Sequence, residues 1–493
     1  MASTLLDGKT YAGNPYVQIE EGNDASAKPR RLFPLYRKQF LIGWVVAAVT
    51  GMTAFAEVAT TTLRAESFAG KSATAGIQPA IDAATAKGGG TVRLAPGDYA
   101  VASIFLKDNV TLHLEKGATL IGSTNFTDYA LCPSSVKGLD HAIVNARDAH
   151  NVALTGEGVV NGRGRFAVHN NNDNRRWLDC LFARCDGVKL EGVTLRDPSF
   201  WTCYFSACTN VVARRVTIKS HANFNGDGID IDAQNVLIED CVIDAEDDAI
   251  CLKSDTPGFV VRNVEVRNCT LASNCNFIKF GTASLTGFAD CRIHHCTLVR
   301  PSAKSHFNWR PSIVPGVTGP QTGIAGVALE VVDGGFMENV HVHDLVMKEG
   351  VQTPLFIRYG RRRSPKPGKK SCLQNILIER IRVEQTECLI ASSITGVPGL
   401  RPCNIVLRDL DFTVRGGGTR RASSGPVPER EKSYPENRMF GTMLPAYGFY
   451  VRHADDIRFE NVRLRYTGST EERPPLVQDD TTGVVVDRCD FKQ

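Results

Sequence analysis

Asn235-Val236-Leu237-Ile238-Glu239-Asp240-Cys241-Val242-Ile243 returns as Asn263-Val264-Glu265-Val266-Arg267-Asn268-Cys269-Thr270-Leu271. Each copy opens on Asn, alternates apolar with polar residues, passes a polar pair and ends in a second short apolar alternation. Working outward, the opening recurs as Asn109-Val110-Thr111-Leu112-His113-Leu114, Asn151-Val152-Ala153-Leu154, Gly187-Val188-Lys189-Leu190 and Asn210-Val211-Val212-Ala213. Further copies start at Asp290, Asn339, Asn375, Asn404, Asp456 and Gly483. Copies between Gly187 and Asp290 start 23, 25, 28 and 27 residues apart, whereas 49 residues separate Asp290 from Asn339, which signals a loop inserted into a coil.

Period-2 alternation reads as strand, and two or three short strands in each unit of this length read as a coil of stacked strands. Such a strand cannot bury its apolar face alone; stacking equivalent strands of successive coils buries all of them in one cylinder. Helical readings fail because Gly, Asn and β-branched residues recur too often. A leucine-rich horseshoe lacks its Leu framework, and a propeller needs longer blades. The expected fold is all-β, a right-handed parallel β-helix. The Asn heading each coil suits a turn that needs a left-handed residue or a side-chain ladder. Ile77 to Ala86 reads as a short amphipathic helix capping the first coil and covering its strand edges. The polar, Gly- and Pro-containing stretch from Gly416 to Tyr434 reads as a mobile loop.

Residues 1–56 differ from the rest. Arg30, Arg31, Arg37 and Lys38 precede an uncharged run from Phe40 to Ala56 that ends in Ala54-Phe55-Ala56. Basic, then apolar, then small-x-small is the layout of an export signal; a single membrane anchor is the competing reading. The expectation is an extension with an export signal over 1–56, near residues 30–56, and a single catalytic domain over 57–493. The product would be secreted or periplasmic. The formal net charge of +4, from 57 basic and 53 acidic residues, gives no case for a nucleic-acid partner. No stable membrane association is expected after signal removal, and the chain is expected to be a monomer. Fifteen cysteines, an odd number, argue against a disulfide scaffold. Cys241, Cys269, Cys296 and Cys489 occupy one repeated slot, which reads as small core filling. No CxxC pair or Cys/His spacing marks a metal site, and no cofactor is expected.

The densest acidic segment lies mid-helix: Asn225-Gly226-Asp227-Gly228-Ile229-Asp230-Ile231-Asp232, then Glu246-Asp247-Asp248-Ala249-Ile250-Cys251-Leu252-Lys253. Asp227 and Asp247 stand close to one coil apart, a separation of about 4.8 Å along the axis once stacked. Three carboxylates within reach of one another cannot all ionise equally, so repulsion creates a proton donor beside charged bases. Glycosidic cleavage needs that pairing: one acid protonates the leaving oxygen and another carboxylate activates water. Asp230 and Asp232 alternate with Ile229 and Ile231 and are expected at the solvent side or groove edge. Exposed turn residues or a calcium site are the competing readings of the acidic cluster.

The chain resembles glycoside hydrolase family 28, the polygalacturonase and rhamnogalacturonan hydrolase group, from about residue 70 to the end. The resemblance rests on Gly88 to Tyr99, Gly156-Glu157-Gly158-Val159-Val160-Asn161-Gly162, Arg196-Asp197-Pro198-Ser199-Phe200-Trp201, the Asn-x-Asp-Gly-x-Asp at 225–230 and the Asp247-Asp248 pair. It implies inverting hydrolysis of pectic material, with Asp247 as general acid and Asp227 with Asp248 activating water. The match breaks one coil further on. The family's Gly-His-Gly is replaced within Asn274-Cys275-Asn276-Phe277-Ile278-Lys279-Phe280-Gly281-Thr282, and its Arg-Ile-Lys by Ala328-Leu329-Glu330. Losing those cations and gaining an acid weakens uronate binding, which favours rhamnogalacturonan-like or decorated oligosaccharides over plain polygalacturonate. Lys253, Asn276, Lys279, Glu330 and Arg358 are the candidate substrate-binding residues, with Lys279 or Arg358 supplying charge from another coil. His306, Trp309 and Arg310 in the 299–325 insertion, and Tyr447, Tyr450, Arg452 and His453, read either as sugar-stacking and polar neighbours or as loop packing. A β-elimination lyase and a non-catalytic carbohydrate-binding β-helix are the alternatives; no basic residue is expected beside the aspartates to serve a lyase.

Overall fold

The residue after each coil-opening Asn, Asp or Gly forms a single column. In parallel register, Val152 pairs with Val188, Val188 with Val211, Val211 with Val236, Val236 with Val264, and Val264 with Cys291. Cys291 then pairs with Val340, and the column continues through Ile376, Ile405 and Ile457. All are buried, within one apolar cluster that runs from Ala73 to Leu464. The computed structural model describes residues 60–170, 173, 175–306, 322–468 and 470–491, and within them it is a parallel β-helix. The 49-residue gap adds no rung, because Cys291 and Val340 are direct neighbours; its extra chain leaves the helix as a loop.

The Asn heading each coil meets both expectations at once. Asn109, Asn151, Asn210, Asn235, Asn263, Asn339, Asn375 and Asn404 all adopt φ between 51° and 60°. Their amides also form a ladder: Asn235 Nδ2 donates to Asn210 Oδ1 at 3.1 Å, and Asn263 Nδ2 donates to Asn235 Oδ1 at 2.9 Å. Asn235→Ala is expected to destabilise the fold by about 1–3 kcal/mol, combining the left-handed penalty with two lost exposed hydrogen bonds. Urea unfolding checks this, and an unchanged midpoint would contradict it.

Helix α1 (Thr74–Ala86) starts three residues before the expected boundary and buries Ile77, Ile81 and Ala84 against the first coil. Gln78 seals the strand edge as a peptide would, its Oε1 accepting from Phe105 N–H at 2.8 Å and its Nε2 donating to Phe105 O at 3.0 Å. The repeated thiols fill one slot: Cys241, Cys269, Cys296 and Cys489 each donate to the carbonyl two residues earlier at 3.2–3.3 Å. All fifteen cysteines are free.

Five strands of one face carry the acidic segment: β1 (Ile229–Glu239), β2 (Ile250–Ser254), β3 (Asn276–Ser284), β4 (Gly323–Val331) and β5 (Val351–Tyr359). They pair in that order, all parallel. The expected export segment, residues 30–56, and Trp309 and Arg310 lie outside the described residues. Among the described residues, no helix is long and apolar enough to cross a membrane.

Candidate active site

The register of β1 and β2 sets Ile229 opposite Ile250, and Gly228 N–H donates to Asp248 O at 2.8 Å. Continued two residues back, that register places Asp227 on the rung beside Asp248. The two glycines around Asp227 permit this approach. A Cβ at Gly228 would lie 2.3 Å from Ala249 O, and one at Gly226 would lie 2.1 Å from Ser220 O. The Asn-Gly-Asp-Gly sequence therefore presses the Asp227 turn against its neighbours, where side chains would push it away.

Alternation along β1 buries Ile229 and Ile231 in the core and sends Asp230 and Asp232 to the outer face. The expectation that these two face solvent or the groove edge is corrected: both are fully buried, Lys253 lying against Asp230 and Thr256 against Asp232. Asp232 accepts from Thr256 Oγ1 at 2.5 Å. Burial pushes the Asp230 carboxyl up to about 7 and that of Asp232 up to about 8.

Two lysines, both candidates from the sequence, stand among the carboxylates. Lys253 Nζ is 3.4 Å from Asp227 Oδ2, 3.1 Å from Asp230 Oδ1 and 4.3 Å from the Trp201 ring centroid. Lys279 Nζ is 3.0 Å from Asp248 Oδ2 and 3.3 Å from Tyr434 Oη. Burial alone would depress both ammonium groups, but the surrounding carboxylates hold each well above the usual lysine range. Both are full cations at any ordinary pH.

The adjacent aspartates are pushed in opposite directions. Burial opposes ionisation of Asp248, yet Lys279, Lys253 and hydrogen bonds hold its carboxyl below the usual range. Those bonds come from Asn276, whose N–H and Nδ2 donate to Asp248 Oδ1 at 3.1 and 2.6 Å. Asp247 is half-buried; burial and the charge on Asp248 raise it to about 6. A carboxylate oxygen of Asp247, one of Asp248 and Cys275 Sγ all lie within 4.8 Å of one another. Burial raises Asp227 well above the usual range, with Asp230 and Asp247 adding to it. The floor thus holds a proton donor beside a fixed carboxylate.

Glu330 sits two rungs away on the same face, with Thr282 Oγ1 donating to it at 3.1 Å and burial raising it to about 7. Arg358 is committed elsewhere, donating to the carbonyls of Gly396 at 2.8 Å, Glu429 at 2.9 Å and Arg430 at 3.2 Å. The expected sugar contact is not what its geometry offers; it fastens the 416–434 stretch. That stretch and its continuation, read as mobile, are anchored on the sheet. Val427, Met439, Phe440, Leu444 and Ala446 pack on Ala325, Ala328 and Phe356, and Tyr434 stands 56% exposed at the lip. Lys253, Asn276, Lys279 and Glu330 therefore join the three aspartates, and Arg358 does not.

Tyr447 and Tyr450 are buried, so they pack as core residues. His306 packs too: its N–H donates to Glu246 Oε1 at 2.5 Å, and its Nε2 donates to His221 O at 2.8 Å. Sequence reading missed four contributors: Asp230, Trp201 beneath Lys253, Cys275 beside Asp247, and Tyr434 beside Lys279. Trp201 lies in the quoted Arg-Asp-Pro-Ser-Phe-Trp motif and Asp230 in the Asn-x-Asp-Gly-x-Asp motif. Tyr434 carries no local signal.

Residues 94–279 match the model of the glycosyl hydrolases family 28. A probable polygalacturonase of Vitis vinifera is 23% identical over 286 residues, covering 53% of this chain and 54% of that protein. An exo-poly-alpha-D-galacturonosidase of Dickeya chrysanthemi is 26% identical over 236 residues, covering 36% and 38%. The chain thus spans about half or less of the length of these curated relatives. The fold resembles the family 28 exopolygalacturonase of Yersinia enterocolitica, with TM-score 0.62, 18% identity and coverage of 86% of this chain and 78% of that one.

Proposed function

We propose that this chain, whose residues 94–279 match glycosyl hydrolase family 28, is a member of that family and hydrolyses O-glycosidic bonds in pectic polysaccharide or oligosaccharide with inversion. In this reading Asp247 protonates the leaving oxygen, Asp248 takes the proton of the attacking water, and Asp227, which burial keeps protonated, helps orient that water. The observation that carries it is the split between adjacent carboxyls: Asp248 is held ionised by Lys279 and Asn276, while Asp247 beside it is raised to about 6. Asp227 and Asp230 share the charge of Lys253, which keeps this second pair from repelling the water-activating carboxylate. A lyase needs a neutral base, and neither lysine supplies one because both are held protonated.

The cations around the floor favour a neutral or decorated sugar over a run of uronates. Lys253 and Lys279 are paired with aspartates, Arg362 with Asp333, and Arg358 with carbonyls. Glu330 presents an acceptor suited to sugar hydroxyls. Export of the mature chain, following the basic and apolar run of residues 30–56, completes the proposal, since the substrate lies in plant cell walls.

A panel of pectic oligosaccharides with product NMR tests the reading. New reducing ends of inverted configuration are expected, with rhamnogalacturonan-type oligomers turned over faster than oligogalacturonate. An ultraviolet-absorbing unsaturated product, or retained configuration, would contradict it. The pH dependence follows from the same two groups. Asp247 must be protonated, so kcat/KM should fall about tenfold per unit above pH 6. Asp248 must be ionised and is held low, so the acidic limb should lie below the ordinary carboxylate pKa of about 4. A profile rising through pH 7 would reject these roles.

A further inference from the structure

Another corner of the helix carries a histidine group that the hydrolytic site does not use. The aspartates sit where chain enters the β1–β5 face, whereas these histidines sit where the neighbouring face ends. His294 closes the strand Gly287–His294 and pairs in register with His343 of the strand Phe336–Met347. Their rings stack with centroids 4.8 Å apart and planes 5° from parallel. His295, exposed and left-handed at φ 52°, folds its ring edge-on to that of His294, bringing the two Nδ1 atoms to 2.7 Å. One ring nitrogen from each of the three lies within 4.8 Å of the others.

Hydrogen bonding fixes which nitrogens carry lone pairs. A carboxylate only accepts, so His294 Nε2–H donates to Glu265 Oε1 at 3.0 Å and His294 Nδ1 accepts from His295 Nδ1–H at 2.7 Å; the exposed His295 ring must move that proton to its Nε2 before both Nδ1 atoms can ligate. His343 Nδ1–H donates to Asp344 Oδ2 at 2.5 Å, and its Nε2 keeps the lone pair, which Arg292 Nε–H caps at 2.9 Å. A carboxylate on the far nitrogen of an imidazole is the arrangement that orients histidine metal ligands and raises their basicity. Two of the three rings have it.

We propose that His294, His295 and His343 bind one divalent cation of the zinc class through His294 Nδ1, His295 Nδ1 and His343 Nε2. Imidazole nitrogens suit Zn2+ and its borderline neighbours, and three protein ligands leave a fourth position for water. Glu265, Asp344 and Glu379 around the group favour a cation. Arg292 and Arg380 oppose it, Arg380 lying 3.2 Å from His343 Nδ1 and paired with Asp344. Binding therefore requires the Arg292 side chain to leave His343; Glu265, its side-by-side partner in register, gives that guanidinium somewhere to turn. Sequence spacing hides the site, because a 49-residue step and a loop separate His294 from His343 while the register makes them neighbours.

Isothermal titration of the full chain with ZnCl2 tests this independently of any activity. One Zn2+ per chain is expected, with His295→Ala weakening binding at least tenfold and His343→Ala doing the same. Arg292→Ala should tighten binding at least tenfold by uncovering the His343 lone pair and removing a cation. His295 is exposed, so its variant keeps the fold, which the thermal midpoint without metal verifies. No stoichiometric binding by wild type, equal affinity in His295→Ala, or weaker binding in Arg292→Ala would each overturn the proposal.

Discussion

Asp247→Asn is expected to cut kcat by about 10²–10⁴-fold while leaving the fold and KM nearly unchanged. The substitution is isosteric at a half-buried position whose own backbone N–H is tied to Gly226 O at 3.3 Å. It removes the one carboxyl of the adjacent pair that carries a proton at mildly acidic pH, and with it protonation of the leaving oxygen. Lys279 keeps its partner, because that partner is Asp248. The same change at Asp248 would be less informative, since it strands a buried ammonium and alters stability together with chemistry. Steady-state kinetics beside a thermal melt make the check. Turnover within threefold of wild type would remove Asp247 from the acid role. A chain that binds pectic oligosaccharide equally well with and without Asp247, and turns over in neither form, would be the carbohydrate-binding helix instead.

The fold was legible because its cause is periodic. An Asn that must be left-handed, followed by a residue that must be buried, recurs often enough to fix the column from Val152 to Ile457, insertions included. The aspartate cluster was legible for a related reason: a one-coil step in sequence is a one-rung step in space, so Asp227 and Asp248 had to meet. Alternation failed at Asp230 and Asp232, since it distinguishes core from outer face and says nothing about what covers the outer face. Arg358 misled for the same reason, its covering loop arriving from about seventy residues later in the chain, at Glu429 and Arg430. Lys253 and Lys279 were visible as nearby charges, but their pairing depends on side-chain reach across rungs, for which the sequence has no period.

That pairing leads to the second large effect. Lys279→Met should destabilise the protein by about 3–5 kcal/mol at pH 7, because it leaves a buried carboxylate without its countercharge. Asp248 is 2% exposed and Lys279 3%, so water cannot take the place of the ammonium. The two Asn276 donors remain and satisfy one oxygen only. The sign with pH distinguishes this cause from simple packing loss. In the wild type the Asp248 carboxyl is depressed on folding, so its stabilising contribution is full above the unfolded value of about 4 and disappears as pH falls through the folded one. Without Lys279, burial dominates and raises that carboxyl, so the variant's penalty should be small near pH 3 and grow as the pH rises. Adding Asp248→Asn to Lys279→Met removes the stranded charge and should recover most of the loss. Denaturant unfolding of the four proteins at pH 4 and pH 7 gives the coupling directly. A deficit under about 1 kcal/mol, or one equal at both pH values, would mean that the ion pair does not hold Asp248 ionised, and the proposed division of labour between the adjacent aspartates would lose its electrostatic basis.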